Sequence, residues 1–458
     1  MKMSHETHME MSEYDRTLSE LFVRFPSVQN AGFSTSAYKP GLEHMEEFDR
    51  LMGRPSRAVK TIHVAGTNGK GSVASMITSG LSVGGRKVGL YTSPHILDFR
   101  ERIRMVSSEG VEMISEDEVL EFVHRWSADF DRLSLSFFEI TTGMAFWWFA
   151  AHGADYSVIE VGLGGRLDST NIITPVLSAV TSIGLDHCAL LGNTRSEIAF
   201  EKAGIFKPGV PAVVGVYDEE TAPVFEKVAS QVGCPVIYAS EMVMPSDFEE
   251  ILGGMDLRGE YQRVNLKTAL VALQMILSGT EQASTRSALM NTAARTGFHG
   301  RWERIGVRPD IICDIGHNPP ALKWNFAQLE KMVASGQARR LIIIYGVMAD
   351  KALDDIIPLM PHDADWIFTT PSTPRAMPSS AILARCKEAA SGPDAGRMQA
   401  TASVREALSL ALSIAEPGDM IYIGGSTFVV ADALKNADLL KRPAESSKKE
   451  SENLQIQK

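Results

Sequence analysis

A glycine-rich segment lies between the apolar run at 61–65 and a helical pattern that begins at Lys70; it reads Gly66-Thr67-Asn68-Gly69-Lys70-Gly71-Ser72. Backbone N–H groups in such a turn can wrap phosphate oxygens, and the positive end of the helix dipole favours an anion. Lys70 would add a positive charge and Ser72 a hydroxyl for Mg²⁺. The fit to the P-loop pattern is imperfect, because Val64 replaces its first glycine and Gly71 separates Lys70 from Ser72. The segment predicts a phosphate site; the alternative is a glycine-rich turn with a solvent-facing lysine.

A carboxylate, Glu160, lies near the end of the apolar run at 156–161. In nucleotide enzymes, a carboxylate at a strand end beside a phosphate loop is where Mg²⁺ is held. The glycines that follow do not form a dinucleotide fingerprint, because Leu167 stands where the third glycine is needed. Taken alone, Glu160 is equally compatible with a strand-end acid that is satisfied by hydrogen bonds.

Four more polar residues lie at the ends of apolar runs or helical patterns. His187 follows SIGLD, Lys202 lies near the end of a helix that starts at 195, and Asp314 ends an apolar run and is followed by His317. Each has a structural explanation. His187 would be a loop histidine, Lys202 a last-turn cation favoured by the helix dipole, and the turn after Asp314 the opening of a helix that begins with two prolines.

Short β-branched runs alternate with helical patterns, which predicts an α/β fold with a largely parallel sheet. The predicted strands of the first series are 61–65, 87–91, 156–161, 177–183, 210–214 and 236–239. The predicted helices begin at Lys70 and Arg195 or lie near 116–130, 138–152, 221–232, 265–277 and 286–296.

A glycine-rich break at 296–301 separates this series from a second one, with strands at 310–315, 340–345, 364–369 and 420–423 and a helix at 320–334. We therefore predict two α/β domains, a large P-loop domain over 1–297 and a smaller one over 298–440, and a solvated, disordered tail over 441–458. The second domain has no glycine-rich phosphate loop, so the cleft between the domains is the expected site.

The composition excludes several classes of function. The chain has 458 residues and a net charge of −11, which argues against an extended surface for nucleic acid or anionic membrane. It shows neither a signal peptide nor an apolar stretch long enough for a membrane helix, and we expect a soluble, cytoplasmic monomer. The four cysteines form no CxxC pair and suggest neither a zinc site nor a disulfide framework.

Taken together, the motifs resemble the folylpolyglutamate synthase and dihydrofolate synthase branch of the Mur ligase superfamily. The matching stretches cover most of residues 39–320 and read HVAGTNGKGS, YTSPHI, FFEITT, EVGLGGRLDSTN, SIGLDH, EKAGIFKPG, the helix at Asn265, GRWE and DIGHNP. The resemblance implies a P-loop domain joined to a Rossmann-like C-terminal domain. It also implies an ATP- and Mg²⁺-dependent ligase that joins L-glutamate to dihydropteroate or to tetrahydrofolate (poly)glutamates through an acyl phosphate, giving ADP and phosphate.

The resemblance also implies residue roles, with Lys70, His187 and Lys202 as the catalytic residues and Lys202 at the position that the family carbamylates. The residues implied to bind ATP are Asn68, Gly69, Lys70, Gly71, Asn265, Arg301, Asp314 and His317. Those implied to hold Mg²⁺, at two positions, are Ser72, Ser93, Glu160 and His187, with the second metal near His187 and Lys202. Those implied to contact the pterin are Ser136, Phe137, Phe138, Glu139, Asp168 and Ser169, with the loop at 39–42. One departure is DIGHNP, where the family more often has DGAHNP; both the acid and the histidine are retained.

Three alternatives stay open. A muramyl-peptide ligase would carry a UDP-binding domain before the loop, and only about 60 residues precede it here, which favours a folate substrate. A P-loop phosphotransferase would not need the loop from Asp314 to His317 on a second domain. A non-catalytic nucleotide-binding scaffold would not need the metal-binding set. We expect dihydropteroate to be a substrate as well as a reduced folate.

Overall fold

The computed structural model describes residues 11–28, 32, 39–351, 353–389 and 397–441. Within them the strands form two sheets. The first sheet has the order β4-β3-β2-β5-β1-β6-β7-β8. Its strands are β1 (Lys60–Ala65), β2 (Val88–Tyr91), β3 (Ile103–Ser107), β4 (Gly110–Met113), β5 (Tyr156–Glu160), β6 (Leu177–Val180), β7 (Ala212–Val214) and β8 (Val236–Tyr238).

This sheet is parallel except at one edge, where β3 pairs antiparallel with β2 and β4 pairs antiparallel with β3. The predicted strands of the first series do not include this hairpin. Arg104 interrupts the apolar run of β3, and all four residues of β4 are exposed, so neither strand has the apolar pattern of a buried parallel strand.

Helices cover both faces of the first sheet. They are α1 (Glu13–Arg24), α2 (Glu43–Leu51), α3 (Lys70–Leu81), α4 (Glu116–Arg132), α5 (Phe137–Ala151), α6 (Cys188–Leu191), α7 (Arg195–Ala203), α8 (Ala222–Val232), α9 (Phe248–Gly254), α10 (Gln262–Ile276), α11 (Gly279–Met290) and α12 (Thr292–Thr296). The predicted helix at 286–296 is wrong as a single element, because Asn291 leaves the helical conformation (φ −113°, ψ 32°) between α11 and α12.

One core of the first domain lies between β1 and the pair α3 and α10, with Ile62, Val64 and Leu266 fully buried in it. Gly80 lets α3 and α10 approach closely, because a Cβ there would lie 2.5 Å from Leu273 Cδ1. The helix that follows the phosphate loop is thus fixed by packing along its length.

The second sheet has the order β13-β12-β11-β14-β10-β9 and is parallel except for the edge strand β9. Its strands are β9 (Glu303–Val307), β10 (Asp310–Cys313), β11 (Leu341–Tyr345), β12 (Ala364–Phe368), β13 (Met398–Ala400) and β14 (Met420–Gly424). Its helices are α13 (Pro319–Ala334), α14 (Ser379–Ala389), α15 (Val404–Ile414) and α16 (Thr427–Lys435). The prediction of an α/β protein with a second, smaller sheet is confirmed.

The predictions on membrane helices, cysteines and the C-terminal tail can be compared with the described residues. Their helices include none that is both long and apolar enough to span a bilayer. All four cysteines are free thiols. Of the predicted tail, only Lys441 is described, at the end of a short 3₁₀ turn, and 442–458 lie outside the described residues.

Candidate active site

The phosphate loop follows β1 and packs against the ends of two other elements. Gly66 (φ 150°) and Gly69 (φ 88°) have backbone conformations that favour glycine. A Cβ on Gly66 would lie 1.8 Å from Thr181 Oγ1, and a Cβ on Gly69 would lie 2.2 Å from Asn265 Oδ1. Lys70 Nζ donates hydrogen bonds to the carbonyls of Gly66 (3.1 Å) and Thr67 (3.3 Å). The predicted ATP-binding residues Gly69, Lys70 and Asn265 are therefore neighbours.

The loop is also part of the contact between the two domains. Asn68 and Asn318 form a reciprocal amide pair, with Nδ2 of Asn68 donating to Asn318 Oδ1 (3.1 Å) and Nδ2 of Asn318 donating to Asn68 Oδ1 (3.0 Å). Asn318 Nδ2 also donates to Asp186 Oδ2 (2.9 Å), and Lys351 Nζ donates to Asp186 Oδ1 (3.1 Å). Asp186, Asn318 and Lys351 are absent from the residues that the motifs predict, although Asp186 and Asn318 stand within SIGLDH and DIGHNP.

Glu160 is buried at the end of β5, beside the first turn of α3. Its Oε2 accepts a hydrogen bond from the Ser93 N–H (3.0 Å), and a Cβ on Gly71 would lie 3.6 Å from that oxygen. Burial raises the pKa of Glu160, and the nearby Lys70 opposes that rise. Glu160, Ser93 and Arg301 line one small cleft.

The donors around Glu160 suit a hard cation. Ser72 is buried and accepts a hydrogen bond from Gln262 Nε2 (3.2 Å). In the described part of the chain, no cluster of three or more His, Cys, Asp or Glu residues is arranged to hold a metal. A metal here would therefore rely on a single carboxylate, hydroxyl groups and phosphate oxygens, which is how Mg²⁺ is bound in many phosphate sites. Among the residues predicted to hold Mg²⁺, the oxygen donors Ser72, Ser93 and Glu160 suit such a hard cation.

His187 and His317 face Asp186 from the two sides of the cleft. Their Nε2 atoms lie 3.8 and 4.0 Å from Asp186 Oδ2. Burial lowers the pKa of both histidines, that of His187 to about 4, so both rings are neutral near pH 7. Burial acts to raise the pKa of Asp186, but His187, Lys351 and His317 outweigh it and hold that pKa below its usual range. A neutral imidazole can act as a metal ligand.

Lys202 is buried in the last turn of α7. Burial, reinforced by the positive charge of Lys70, lowers the pKa of Lys202 to about 7, while Asp186 and Asp168 oppose the shift. Near pH 7, Lys202 therefore carries a neutral, nucleophilic amine in about half of the molecules. Lys70 thus acts electrostatically on three predicted site residues, Glu160, His187 and Lys202.

Asp314, which follows β10, accepts four hydrogen bonds within the chain. The Trp302 N–H (2.8 Å) and Tyr261 hydroxyl (2.6 Å) donate to Oδ2, and the Gly316 N–H (2.7 Å) and Asn325 Nδ2 (2.8 Å) donate to Oδ1. Tyr261 directly precedes α10, so Asp314 is linked to the helix that carries Asn265. Arg301 lies over the ring of Phe298 (5.1 Å from guanidinium carbon to centroid).

A cavity of about 250 Å³ lies between the domains. The first domain contributes Ser93, His187 and most of the predicted pterin residues: Ser136, Phe137, Phe138, Asp168 and Ser169, with Lys39. The second domain contributes His317 and residues that no motif marks: Met348, Asp350, Lys351, Arg375, Ser426, Thr427 and Phe428. Among the unmarked residues, Ser426 had one local signal, since it caps α16 after two glycines.

The predicted pterin residues have structural roles as well. Ser136 and Glu139 form the capping box of α5, which turns the Glu139 carboxylate onto the Ser136 N–H (2.7 Å). Phe137 stacks on Phe22 (centroids 5.0 Å apart) and is buried, whereas Phe138 covers Gly162, where a Cβ would lie 2.5 Å from its ring. Lys39 Nζ donates to the Ser134 carbonyl (2.6 Å).

Comparisons with known proteins identify the family of the chain. Residues 300–427 match the family "Mur ligase, glutamate ligase domain". The dihydrofolate synthase/folylpolyglutamate synthase of Bacillus subtilis is 32% identical over 364 residues, which cover 74% of this chain and 83% of that protein. A probable bifunctional folylpolyglutamate synthase/dihydropteroate synthase of Haloferax volcanii is 31% identical over 417 residues; the match covers 86% of this chain but only 48% of that protein.

Solved structures resemble the whole fold. Escherichia coli FolC in complex with DHPP and ADP superposes with a TM-score of 0.76 at 26% identity, covering 93% of this chain and 98% of that one. A bifunctional folylpolyglutamate synthase/dihydrofolate synthase with Mn, AMPPNP and L-glutamate bound gives 0.73 at 28% identity, covering 88% and 95%. With the two-domain fold, the phosphate loop and these matches, the chain belongs to the folylpolyglutamate synthase/dihydrofolate synthase family of the Mur ligase superfamily.

Proposed function

We propose that this protein is an ATP-dependent ligase that adds L-glutamate to dihydropteroate, to tetrahydrofolate (poly)glutamates, or to both, and releases ADP and phosphate. The observation that carries the proposal is the interdomain cavity, which the predicted pterin residues of the first domain and a wall of the second domain with Lys351 and Arg375 enclose together. The relatives named for these two activities support it. The proposed boundary near 297 falls between α12 and β9.

The chemistry explains why such a site needs both a phosphate loop and an enclosed cavity. A carboxylate resists attack by an amine until one of its oxygens becomes a leaving group, and phosphorylation by ATP provides that. The resulting acyl phosphate reacts with water if it is exposed, so a cavity closed by two domains both protects it and aligns the amine.

Lys70 and Arg301 are proposed to stabilise the negative charge on the transferring phosphoryl group. Lys70 now lies on two neutral carbonyls, so it can turn to a phosphate without breaking an ion pair in the loop. Ser72, Ser93, Glu160 and His187 would hold Mg²⁺, which when bound supplies positive charge that polarises the phosphoryl oxygens. Asn68, Gly69, Gly71 and Asn265 would hold the nucleotide from the first domain, and His317 from the second. Asp314, which already accepts four hydrogen bonds, would position the loop that carries His317.

The two acidic substrates would occupy opposite ends of the cavity. Phe138 offers a flat apolar surface and Asp168 a buried acceptor on the first-domain wall, which suit a pterin. On the second-domain wall, Lys351 pairs with Asp186 (3.1 Å) and Arg375 with Asp350 (2.7 Å). These two cations and the hydroxyl of Ser426 would turn to the carboxylates of glutamate.

The test is to incubate the purified protein with ATP, L-glutamate and each pterin in turn, and to identify every product by mass. We expect ADP, phosphate and a new amide of glutamate, formed at the pteroate carboxylate of dihydropteroate or at a glutamyl carboxylate of a reduced folate, with ATP consumption that depends on glutamate. Lys70→Ala is expected to remove nearly all turnover while the melting temperature stays close to that of the wild type. AMP as the nucleotide product excludes an acyl phosphate, and a phosphorylated product without an amide supports the phosphotransferase alternative.

A further inference from the structure

His63 is a buried residue of β1 that the proposed chemistry does not use. Its side chain is fully buried, and its neighbours Ile62 and Val64 pack into the core with α3. The ring nitrogen Nε2 lies 2.8 Å from Thr170 Oγ1, whereas Nδ1 has no hydrogen-bond partner among the described residues. Burial, with a smaller contribution from Lys207, lowers the pKa of His63 to about 3, so the ring is neutral near pH 7.

Thr170 connects this ring to Asp168, which lines the cavity. Thr170 Oγ1 lies 2.5 Å from Asp168 Oδ1. The backbone N–H groups of Thr170 (3.0 Å) and Leu163 (2.9 Å) also point at the carboxylate, and an N–H can only donate. Asp168 is therefore held as an acceptor, which is the role of an ionised carboxylate.

The direction of each hydrogen bond follows from the number of protons. The Thr170 hydroxyl has one proton, which it donates to Asp168 Oδ1, so its oxygen must accept from His63. His63 then carries its proton on Nε2 and leaves Nδ1 as a bare acceptor. That assignment agrees with the unpaired state of Nδ1, because a protonated Nδ1 would be a buried donor without an acceptor.

We propose that His63 is a positioning residue for the pterin end of the cavity, acting through Thr170 to hold the Asp168 carboxylate in one orientation. The inference rests on the proposed function, in which Asp168 contacts the pterin. An apolar side chain would fill the same place in β1 without an unpaired nitrogen. The histidine adds an N–H that donates to the Thr170 hydroxyl, which in turn donates to Asp168 on the cavity wall; we call these two hydrogen bonds the relay.

The strand itself supplies an internal control. The carboxyl end of β1 continues into the phosphate loop, so a change that merely disturbs β1 alters ATP binding as well as pterin binding. A change that acts through Thr170 alters pterin binding alone. A general disturbance of β1 would therefore raise the KM of both ATP and the pterin substrate, whereas loss of the His63–Thr170 hydrogen bond would raise only the KM of the pterin substrate.

The experiment compares His63→Leu with His63→Gln in the full-length protein. The leucine variant removes the donor, and the glutamine variant keeps an N–H at a similar distance from Cα. For His63→Leu we expect the KM of the pterin substrate to rise about tenfold, with the KM of ATP changed less than about twofold. For His63→Gln we expect the pterin KM to return to within about threefold of the wild-type value. An equal rise in both KM values, or no recovery with glutamine, overturns the proposal.

Two further measurements keep the outcome interpretable. Asp168→Ala separates the relay from the pterin assignment: if it leaves the pterin KM unchanged, the assignment of the pterin site fails, and if it raises that KM while His63→Leu does not, the relay fails. Should His63→Leu not fold, ¹⁵N spectra of the wild-type histidines decide. A neutral ring protonated on Nε2 supports the relay, and a ring protonated on Nδ1 refutes it.

Discussion

Two buried carboxylates, Glu160 and Asp314, occupy equivalent positions in the two domains and are held in opposite ways. Each stands where a parallel strand ends at the cleft. Asp314 accepts four hydrogen bonds from its own chain, including two from backbone N–H groups. Within the described residues, Glu160 accepts one hydrogen bond, from the Ser93 N–H, and otherwise faces the positive charges of Lys70, Arg301 and Arg104.

The difference indicates which acid is available for chemistry. A carboxylate offers about four acceptor sites, so Asp314 has little capacity left for a ligand and instead joins β10 to α10 through Tyr261. Glu160 keeps most of its acceptor sites, and its burial favours binding a cation over remaining alone. A direct role of Asp314 at the nucleotide stays a prediction. Substitutions of Glu160 and Asp314 test this difference directly, and changes at Asp168 and Lys202 extend it to other buried groups of the cleft.

The largest effect is expected for Glu160→Gln, which should lower kcat by on the order of 10³ because a charge is lost where the phosphoryl group transfers. The same change should not destabilise the fold. The raised pKa of Glu160 means that the folded state takes up its proton more readily than the unfolded state, so ionised Glu160 costs stability near pH 7, and a neutral glutamine removes that cost. Steady-state kinetics and thermal melts check both points; a variant with near-wild-type kcat would contradict the assignment.

Asp314→Asn should show the opposite pattern. The asparagine amide has one acceptor oxygen, and its NH₂ group would replace the other oxygen and face the N–H of Trp302 or Gly316. We therefore expect the free energy of unfolding to fall by about 3 kcal/mol. Urea denaturation of Asp314→Asn and Glu160→Gln side by side gives the comparison. A stable Asp314→Asn with a kcat as low as that of Glu160→Gln would place Asp314 in the chemistry instead.

Asp168 is a third buried carboxylate that combines both situations, because it is held by its own loop and also lines the cavity. Burial raises its pKa, and hydrogen bonds from Thr170 and Leu163 oppose the rise. For Asp168→Ala we expect kcat/KM to fall about 100-fold with dihydropteroate and about tenfold with a reduced folate, since the smaller substrate retains fewer contacts. Equal, small losses with both substrates would assign Asp168 to loop structure alone.

The smallest effect concerns carbamylation of Lys202. Only the neutral amine reacts with CO₂, and with a pKa of about 7 the neutral fraction falls about tenfold per pH unit below that value. Activity in bicarbonate-depleted buffer should therefore decrease a few-fold more than activity in bicarbonate as the pH drops from about 7 to 6. A ¹³C carbamate signal from labelled bicarbonate, present in the wild type and missing in Lys202→Arg, checks the modification directly. The absence of the signal in both proteins would contradict the predicted carbamylation of Lys202.

The sequence marks more residues on the phosphate side of the cleft than on the opposite side, for a physical reason. Residues 66–72 are contiguous, and their glycines, lysine and serine belong to one local turn, so a short motif contains the predicted phosphate site. The second-domain wall is assembled from Lys351, Arg375 and Ser426, which lie in separate loops and meet only when the second sheet is formed. Local patterns also failed at Asn291, where one residue divides a helix, and at β4, whose exposed residues have no apolar pattern.

The amide pair between Asn68 and Asn318 connects the tip of the phosphate loop directly to the second domain. Rotating one domain away from the other must stretch or break the hydrogen bonds of Asn68, a residue that is predicted to bind ATP. If Asn68 binds the nucleotide as predicted, nucleotide binding and the angle between the domains are coupled, and that coupling is reciprocal. A ligand of the second domain that fixes the angle at which the nucleotide binds best is then expected to slow nucleotide release without touching the nucleotide.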